Sequence, residues 1–195
     1  MMVILFLTNN DNALSLYDWL KNNEEKVYLY DKKINLDYIQ LIHPDMIISY
    51  NYNYLIRQDV ISFMEGQIIN LHISYLPWNR GFSPNLWSFI DNTPKGVTIH
   101  YIDEGLDTGD IIVQESYEFD PTKETFESTY IFLNEKIKEL FISWWDRIRS
   151  GKVLAIKQEG IGSFHLEKQL IEIQKKYHLS WEEKISDFLI RYRRD

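Results

Sequence analysis

Cysteine is absent from all 195 residues. Its absence excludes thiolate nucleophiles, disulfides and cysteine-ligated zinc, and it fits a reducing compartment. Long apolar runs are missing as well. No stretch approaches the roughly 20 residues needed to span a bilayer, so no membrane partner is expected. The opening MMVILFLTNND lacks the basic start and small-residue cleavage site of a secretory leader. It reads as a first buried strand, and the expected location is cytoplasmic. Positive charge is also scarce: 21 Lys and Arg face 29 Asp and Glu, for a formal charge of −8. Such a surface repels phosphate backbones, so no nucleic acid partner is expected. Arg191, Arg193 and Arg194 form the one dense basic cluster, which reads as the last turn of a helix offsetting the helix dipole.

What remains is ordinary globular composition, 45% hydrophobic and 26% charged, which excludes a disordered chain. A chain of this length buries about 70% of its unfolded surface and holds a core without metal or disulfide. One α/β domain with a short appendage is expected.

The first half alternates strand and helix patterns. Val3–Leu7, Val27–Tyr30, Asp45–Tyr50 and Gln67–His72 read as strands. Between them, helices are predicted around Leu14–Leu20 (with Asp11 as cap), Leu36–Leu41 and Leu55–Phe63. This order implies right-handed βαβ units and a parallel sheet covered on both faces. Downstream, a short helix is expected over Pro84–Ile90, and strands over Gly96–Tyr101 and Asp110–Tyr117. A long helix is expected to open at Asp120-Pro121 and to end at Gly151, with apolar residues from Phe126 to Ile148 at three-four spacing. Val153–Ile156 reads as a last strand, and two helices follow from about Ser163.

Three stretches carry candidate chemistry. Gln67-Ile-Ile-Asn-Leu-His72 ends an apolar strand with an amide and an imidazole two positions apart, hence on one face. Ligands of parallel sheets bind outside the carboxyl ends of strands, which makes this a site candidate. A strand-end histidine is, taken alone, more often structural. Asp103-Glu-Gly-Leu-Asp-Thr-Gly-Asp110 alternates carboxylates with glycines that permit close backbone approach. Its bland reading is a solvated turn, and it lacks the ligand spacing of a calcium loop. Pro77-Trp-Asn-Arg-Gly81 offers a guanidinium suited to phosphate or carboxylate, beside a carboxamide and an indole. His72, His100 and Asp107 are also a conceivable metal set, but HxH and HExxH spacings are missing and no metal is expected.

The runs NLHISYLPWNRGFSPNLWSFI and GVTIHYIDEGLDTGDII resemble the catalytic core of the folate-dependent formyltransferases, over roughly residues 45 to 115. The resemblance implies an α/β, Rossmann-like, mostly parallel sheet flanked by helices. A catalytic domain is then expected over residues 1–157 and a helical extension over 158–195. It implies an enzyme that transfers a formyl group from 10-formyltetrahydrofolate to a primary amine, with Asn70 holding the formyl oxygen. His72 would handle the amine proton, and Asp107 would orient His72. The pterin would lie between residues 50–56 and 103–109, touching Tyr50, Tyr52, Tyr54, Leu55, Asp103, Gly105, Leu106 and Gly109, largely through backbone.

Departures from the family narrow the acceptor. Thr8-Asn-Asn-Asp-Asn12 lacks the glycine-rich phosphate turn of glycinamide ribonucleotide enzymes. Only about 40 residues follow Val153, so the further C-terminal domain of methionyl-tRNA enzymes is not expected, and the charge is wrong for tRNA. The branch most resembled is the sugar-nucleotide N-formyltransferases, with Trp78, Asn79 and Arg80 as substrate contacts. Their acceptors are amino deoxysugars on a nucleotide such as dTDP, often destined for lipopolysaccharide O-antigen. Partners are thus expected to be the folate donor, the sugar nucleotide and, as is common among related enzymes, a second copy in a homodimer. The competing readings are a methionyl-tRNA formyltransferase, a metal-dependent hydrolase and a non-catalytic folate- or nucleotide-binding module.

Overall fold

The run VILFL forms β1 (Val3–Leu7), buried from Ile4 onward, because apolar side chains on both sides of the strand need cover on both sheet faces. A computed structural model describes residues 1–23 and 25–194. Beyond β1, the sheet is built from β2 (Lys26–Tyr30), β3 (Met46–Tyr50), β4 (Ile68–His72), β6 (Lys95–Tyr101) and β7 (Ile111–Tyr117), in the order β2-β1-β3-β4-β6-β7. The pairs β1–β2, β1–β3 and β3–β4 are parallel, with Ile47 opposite Ile68 and Ser49 opposite Asn70. Helices α1 (Leu14–Asn22), α2 (Leu36–Ile42) and α3 (Gln58–Phe63) make the crossovers. The strand–helix alternation read from the sequence is the one that forms.

The chain divides into two compact units. The first comprises residues 1–72, 99–112 and 153–157; the second comprises 73–98, 113–152 and 158 onward. β6 and β7 each run from one unit into the other. The first unit packs Leu5, Leu7, Ile39, Ile47, Val60, Met64 and Ile68 into one core. Each such side chain contributes about 1.5–3 kcal/mol by leaving water, and Ile47→Ala costs about 2–5 kcal/mol. In the second unit, α4 (Pro84–Ile90), α5 (Phe126–Arg149), α6 (Glu167–Tyr177) and α7 (Ile185–Tyr192) share an aromatic-rich core that includes Trp87, Phe89, Phe126, Tyr177 and Phe188. A two-residue strand pair, β5 (Arg80–Gly81) with β8 (Phe164–His165), also belongs to this unit.

Three local expectations are corrected. The first helix is entered through a 3₁₀ turn over Asp11–Ala13 capped by Asn10, not by Asp11: the Asn10 side chain accepts from Asn12 N. The long helix begins at Phe126 and not at Asp120-Pro121. Asp120 Oδ1 folds onto Thr122 N and Oγ1, which makes a side-chain turn of residues 120–122. Thr125 and Ser128 then cap α5 reciprocally. Val153–Ile156 is no strand; a single antiparallel bridge links Ile156 to Ile111. Gly151 does close α5, at φ 65.

Candidate active site

Strand alternation at the end of β4 turns the Asn70 and His72 side chains to one face, and the loop 102–110 brings Asp107 to them. Asp107 Oδ1 accepts from Asn70 Nδ2 at 3.2 Å, and Asp107 Oδ2 lies 3.8 Å from His72 Nδ1. His100, one residue before the end of β6, completes the group. Its Nε2 is 3.2 Å from Asn70 Nδ2 and 3.5 Å from Asp107 Oδ1. The His72 and His100 rings meet edge to face at 6.2 Å. Both histidines are buried, whereas the Asp107 side chain keeps 14% of its surface open. All four residues belong to the first unit.

The tautomer of His100 follows from its contacts. Nδ1 lies 2.7 Å from the Tyr101 carbonyl oxygen, which can only accept, so Nδ1 carries a proton, and in the Nδ1–H tautomer Nε2 accepts. Two acceptors 3.5 Å apart need a donor between them. The Asn70 amide nitrogen fills that place with its two hydrogens, one toward each. Turned over, the carboxamide would set its oxygen against both acceptors.

Short-range chemistry shapes the loop that delivers Asp107. Asp103 Oδ1 accepts from Gly105 N at 3.0 Å and from Thr108 Oγ1 at 2.6 Å, and Tyr101 N donates to Asp110 O at 2.9 Å. Asp107 sits at φ 51, a left-handed conformation that Asp tolerates better than most residues. At Gly109 no side chain fits, because a Cβ would lie 1.9 Å from Tyr101 O.

Beyond Asp103, Gly105 and Gly109 of this loop, the expected donor contacts fall into two groups. Tyr54, Leu55 and Leu106 are exposed and offer apolar surface to a flat ring. Tyr50 is fully buried in β3, so a ligand meets only the chain that follows it. Tyr52 acts as a strut: its hydroxyl donates to Lys32 O at 2.6 Å and accepts from Ile34 N at 3.0 Å. Burial pushes the Tyr52 phenol up to about 12.

A family model described as formyl transferase matches residues 8–144. The chain belongs to the formyl transferase family. Among solved structures it is similar to the formyltransferase PseJ from Anoxybacillus kamchatkensis, in complex with UDP-4,6-dideoxy-4-formamido-L-AltNAc and tetrahydrofolate. That likeness has 41% identity and a TM-score of 0.88, and covers 96% of this chain and 97% of PseJ. The dTDP-4-amino-4,6-dideoxyglucose formyltransferase of Mycobacterium tuberculosis is 28% identical over 187 residues, 89% of this chain and 78% of its own length. A methionyl-tRNA formyltransferase of Clostridium botulinum is 32% identical over 162 residues, 82% of this chain and 50% of that protein. The chain spans half or less of the methionyl-tRNA formyltransferases it matches first.

In this formyl transferase family member the segment 77–81 lies in the second unit, a few residues after the strand that ends in His72. Trp78 and Arg80 are half-buried. Arg80 donates to Gln158 Oε1 from Nε at 3.1 Å and from Nη2 at 2.7 Å. Asn79, expected to touch substrate, is fully buried instead. Its Nδ2 donates to Thr93 Oγ1 at 2.8 Å and its backbone N donates to Ser163 Oγ at 2.9 Å. Residues 77–82 and 162–165 are laced together: Ser163 N donates to Pro77 O, Arg80 N to Ser163 O and Phe82 N to His165 O. Gly162, at φ 63, passes so close that a Cβ would lie 2.1 Å from Pro77 O.

A cavity of about 530 Å³ in the second unit, lined by Phe89, Lys95, Glu118, Phe119 and Arg193 among others, contains none of the candidate residues. Among the described residues no group of three His, Cys, Asp or Glu is arranged to hold a metal. Sequence alone links His100 only to a conceivable metal set. A polar residue on an apolar strand, two positions before the acidic loop, is the available signal for its place beside Asn70.

Proposed function

We propose that the protein transfers a formyl group from 10-formyltetrahydrofolate to the amine of a UDP-linked 4-amino-4,6-dideoxy sugar. The observation that carries the reaction type is the convergence of Asn70, His72 and Asp107 within one unit, at 3.2 and 3.8 Å. The likeness to PseJ along nearly the whole of both chains supports the acceptor.

Formyl transfer requires a neutral amine to attack a carbonyl carbon. Negative charge builds on the formyl oxygen, the amine sheds a proton, and the nitrogen of the donor leaves with one. Asn70 directs an N–H at the oxygen; a single donor of this kind is worth about 10²- to 10³-fold. His72 takes the amine proton and returns it to the leaving nitrogen, for about 10²- to 10⁴-fold. Asp107 holds both partners, stabilising imidazolium at His72 and anchoring the Asn70 amide. The exposed Tyr54, Leu55 and Leu106 give the donor's ring an apolar bed. Arg80, within the second unit, carries a planar guanidinium of the kind that recognises phosphate or carboxylate. Asn79, bonded as it is, shapes its loop rather than touching substrate.

The test is an assay pairing 10-formyltetrahydrofolate with UDP-linked 4-amino-4,6-dideoxy sugars, dTDP-4-amino-4,6-dideoxyglucose and methionyl-tRNA. Fastest turnover is expected with the UDP sugar that PseJ's bound product implies. Turnover of methionyl-tRNA and of no sugar would overturn the acceptor. Failure of every amine would overturn the reaction.

A further inference from the structure

We propose that His100 is a positioning residue for formyl transfer, acting through Asn70; the inference rests on the role given to Asn70 above. The Tyr101 carbonyl fixes the ring as the Nδ1–H tautomer, so an Nε2 lone pair faces the Asn70 amide nitrogen at 3.2 Å. The two hydrogens of that nitrogen are thereby drawn to different acceptors, one to the Asp107 carboxylate and one to the His100 ring. The bond to the carboxylate is charge-assisted and the stronger. The bond to the ring is the one that yields when a formyl oxygen arrives.

His100 therefore does two things without touching substrate. It fixes the plane of the carboxamide before the donor binds, with the nitrogen inward and a hydrogen ready. It also supplies a partner for that hydrogen in a half-buried polar cluster, where an unmet N–H would otherwise turn the amide or draw in water. Preorganisation of this kind lowers the barrier because the donor need not be turned at the moment charge develops. The ring is 1% exposed and belongs to β6.

Two substitutions separate this role from a packing role. His100→Asn keeps an amide near the Nδ1 position, able to bond the Tyr101 carbonyl, yet falls short of Asn70. His100→Gln carries an acceptor to the Nε2 position. We expect kcat to fall about tenfold in His100→Asn, with KM for both substrates within about twofold, and to return to within about threefold of wild type in His100→Gln. Asn70→Ala is expected to lose about 10²-fold or more, and adding His100→Asn to it should cost nothing further, because residues acting as a unit are not additive. Equal kcat losses from His100→Asn in the presence and absence of Asn70, or no loss in either, would overturn the inference. Unchanged turnover in Asn70→Ala alone would instead overturn the role of Asn70 itself. Melting temperatures of all four proteins report whether each is folded.

Discussion

Two histidine–aspartate pairs, one in each unit, show how differently the same two side chains are used. In the second unit, His165 Nε2 lies 2.8 Å from Asp91 Oδ2, and its ring stacks flat on Trp87, with centroids 3.9 Å apart and planes 4° off parallel. Its buried Nδ1 has no hydrogen-bond partner among the described residues. In the first unit, His72 and Asp107 stand at 3.8 Å, beyond a hydrogen bond, and the same carboxylate also serves Asn70. Asp91 ends a helix in ordinary backbone geometry at φ −82, whereas Asp107 is held at φ 51 in a glycine-bounded loop. The shorter, better packed pair is consumed by its own structure. In the looser pair one carboxylate is divided between two partners, an arrangement that suits the proton transfer proposed for it.

The contrast can be broken most directly at the two rings. His72→Asn is expected to lower kcat by about 10²- to 10⁴-fold while the melting temperature holds. His165→Asn should lose stability and keep its turnover. Equal losses of turnover in the two variants would erase the distinction. Next in size is the loop: Gly109→Ala forces the chain away from Tyr101 O, where the new Cβ would lie at 1.9 Å. A displacement of about 1 Å at Asp107 costs roughly 10²-fold in kcat, and wild-type kinetics in Gly109→Ala would show the loop to be adaptable.

Smaller effects sharpen the structural side. Asp91→Ala leaves His165 without its acceptor and should cost about 1–3 kcal/mol in a denaturant titration. Adding His165→Phe, which keeps the stack on Trp87, should recover most of that loss. A double variant no better than Asp91→Ala would mean that the carboxylate matters for something other than the ring. The smallest effect concerns Tyr52. Its folded pKa, about 12, lies above the ordinary phenol value, so the stability it contributes is complete below about pH 10 and fades as pH rises toward 12. Tyr52→Phe should therefore flatten the alkaline decline of the urea midpoint. An unchanged slope would assign that decline to other groups.

Most of the first unit is legible in the chain because its signals are local. Continuous apolar strands, alternating with helical spacing, dictate a parallel sheet, and period two puts Asn70 and His72 on one face. Asp107 is joined to Asn70 only through resemblance, since no periodicity links residue 107 to residue 70. The contact of His100 with Asn70 is invisible for the same reason: two strands far apart in the chain decide it. In the second unit the misreadings come from side chains competing for backbone groups. Asp120 captures Thr122, and the Thr125–Ser128 pair sets the helix start beyond Pro121. Asn79 looks like a ligand contact because an amide beside an arginine has no sequence mark of burial.

The interlacing of residues 77–82 with 162–165 has an engineering consequence. Asn79 and Ser163 are 84 positions apart, yet bonds from one stretch to the other recur along their shared length. Register along β5 and β8 is thus shared property: a residue inserted into either stretch alone would move Arg80 off Phe164 and Gly81 off His165. Anyone moving the Trp78–Arg80 segment into a relative will need to transplant both strips together, as one cartridge.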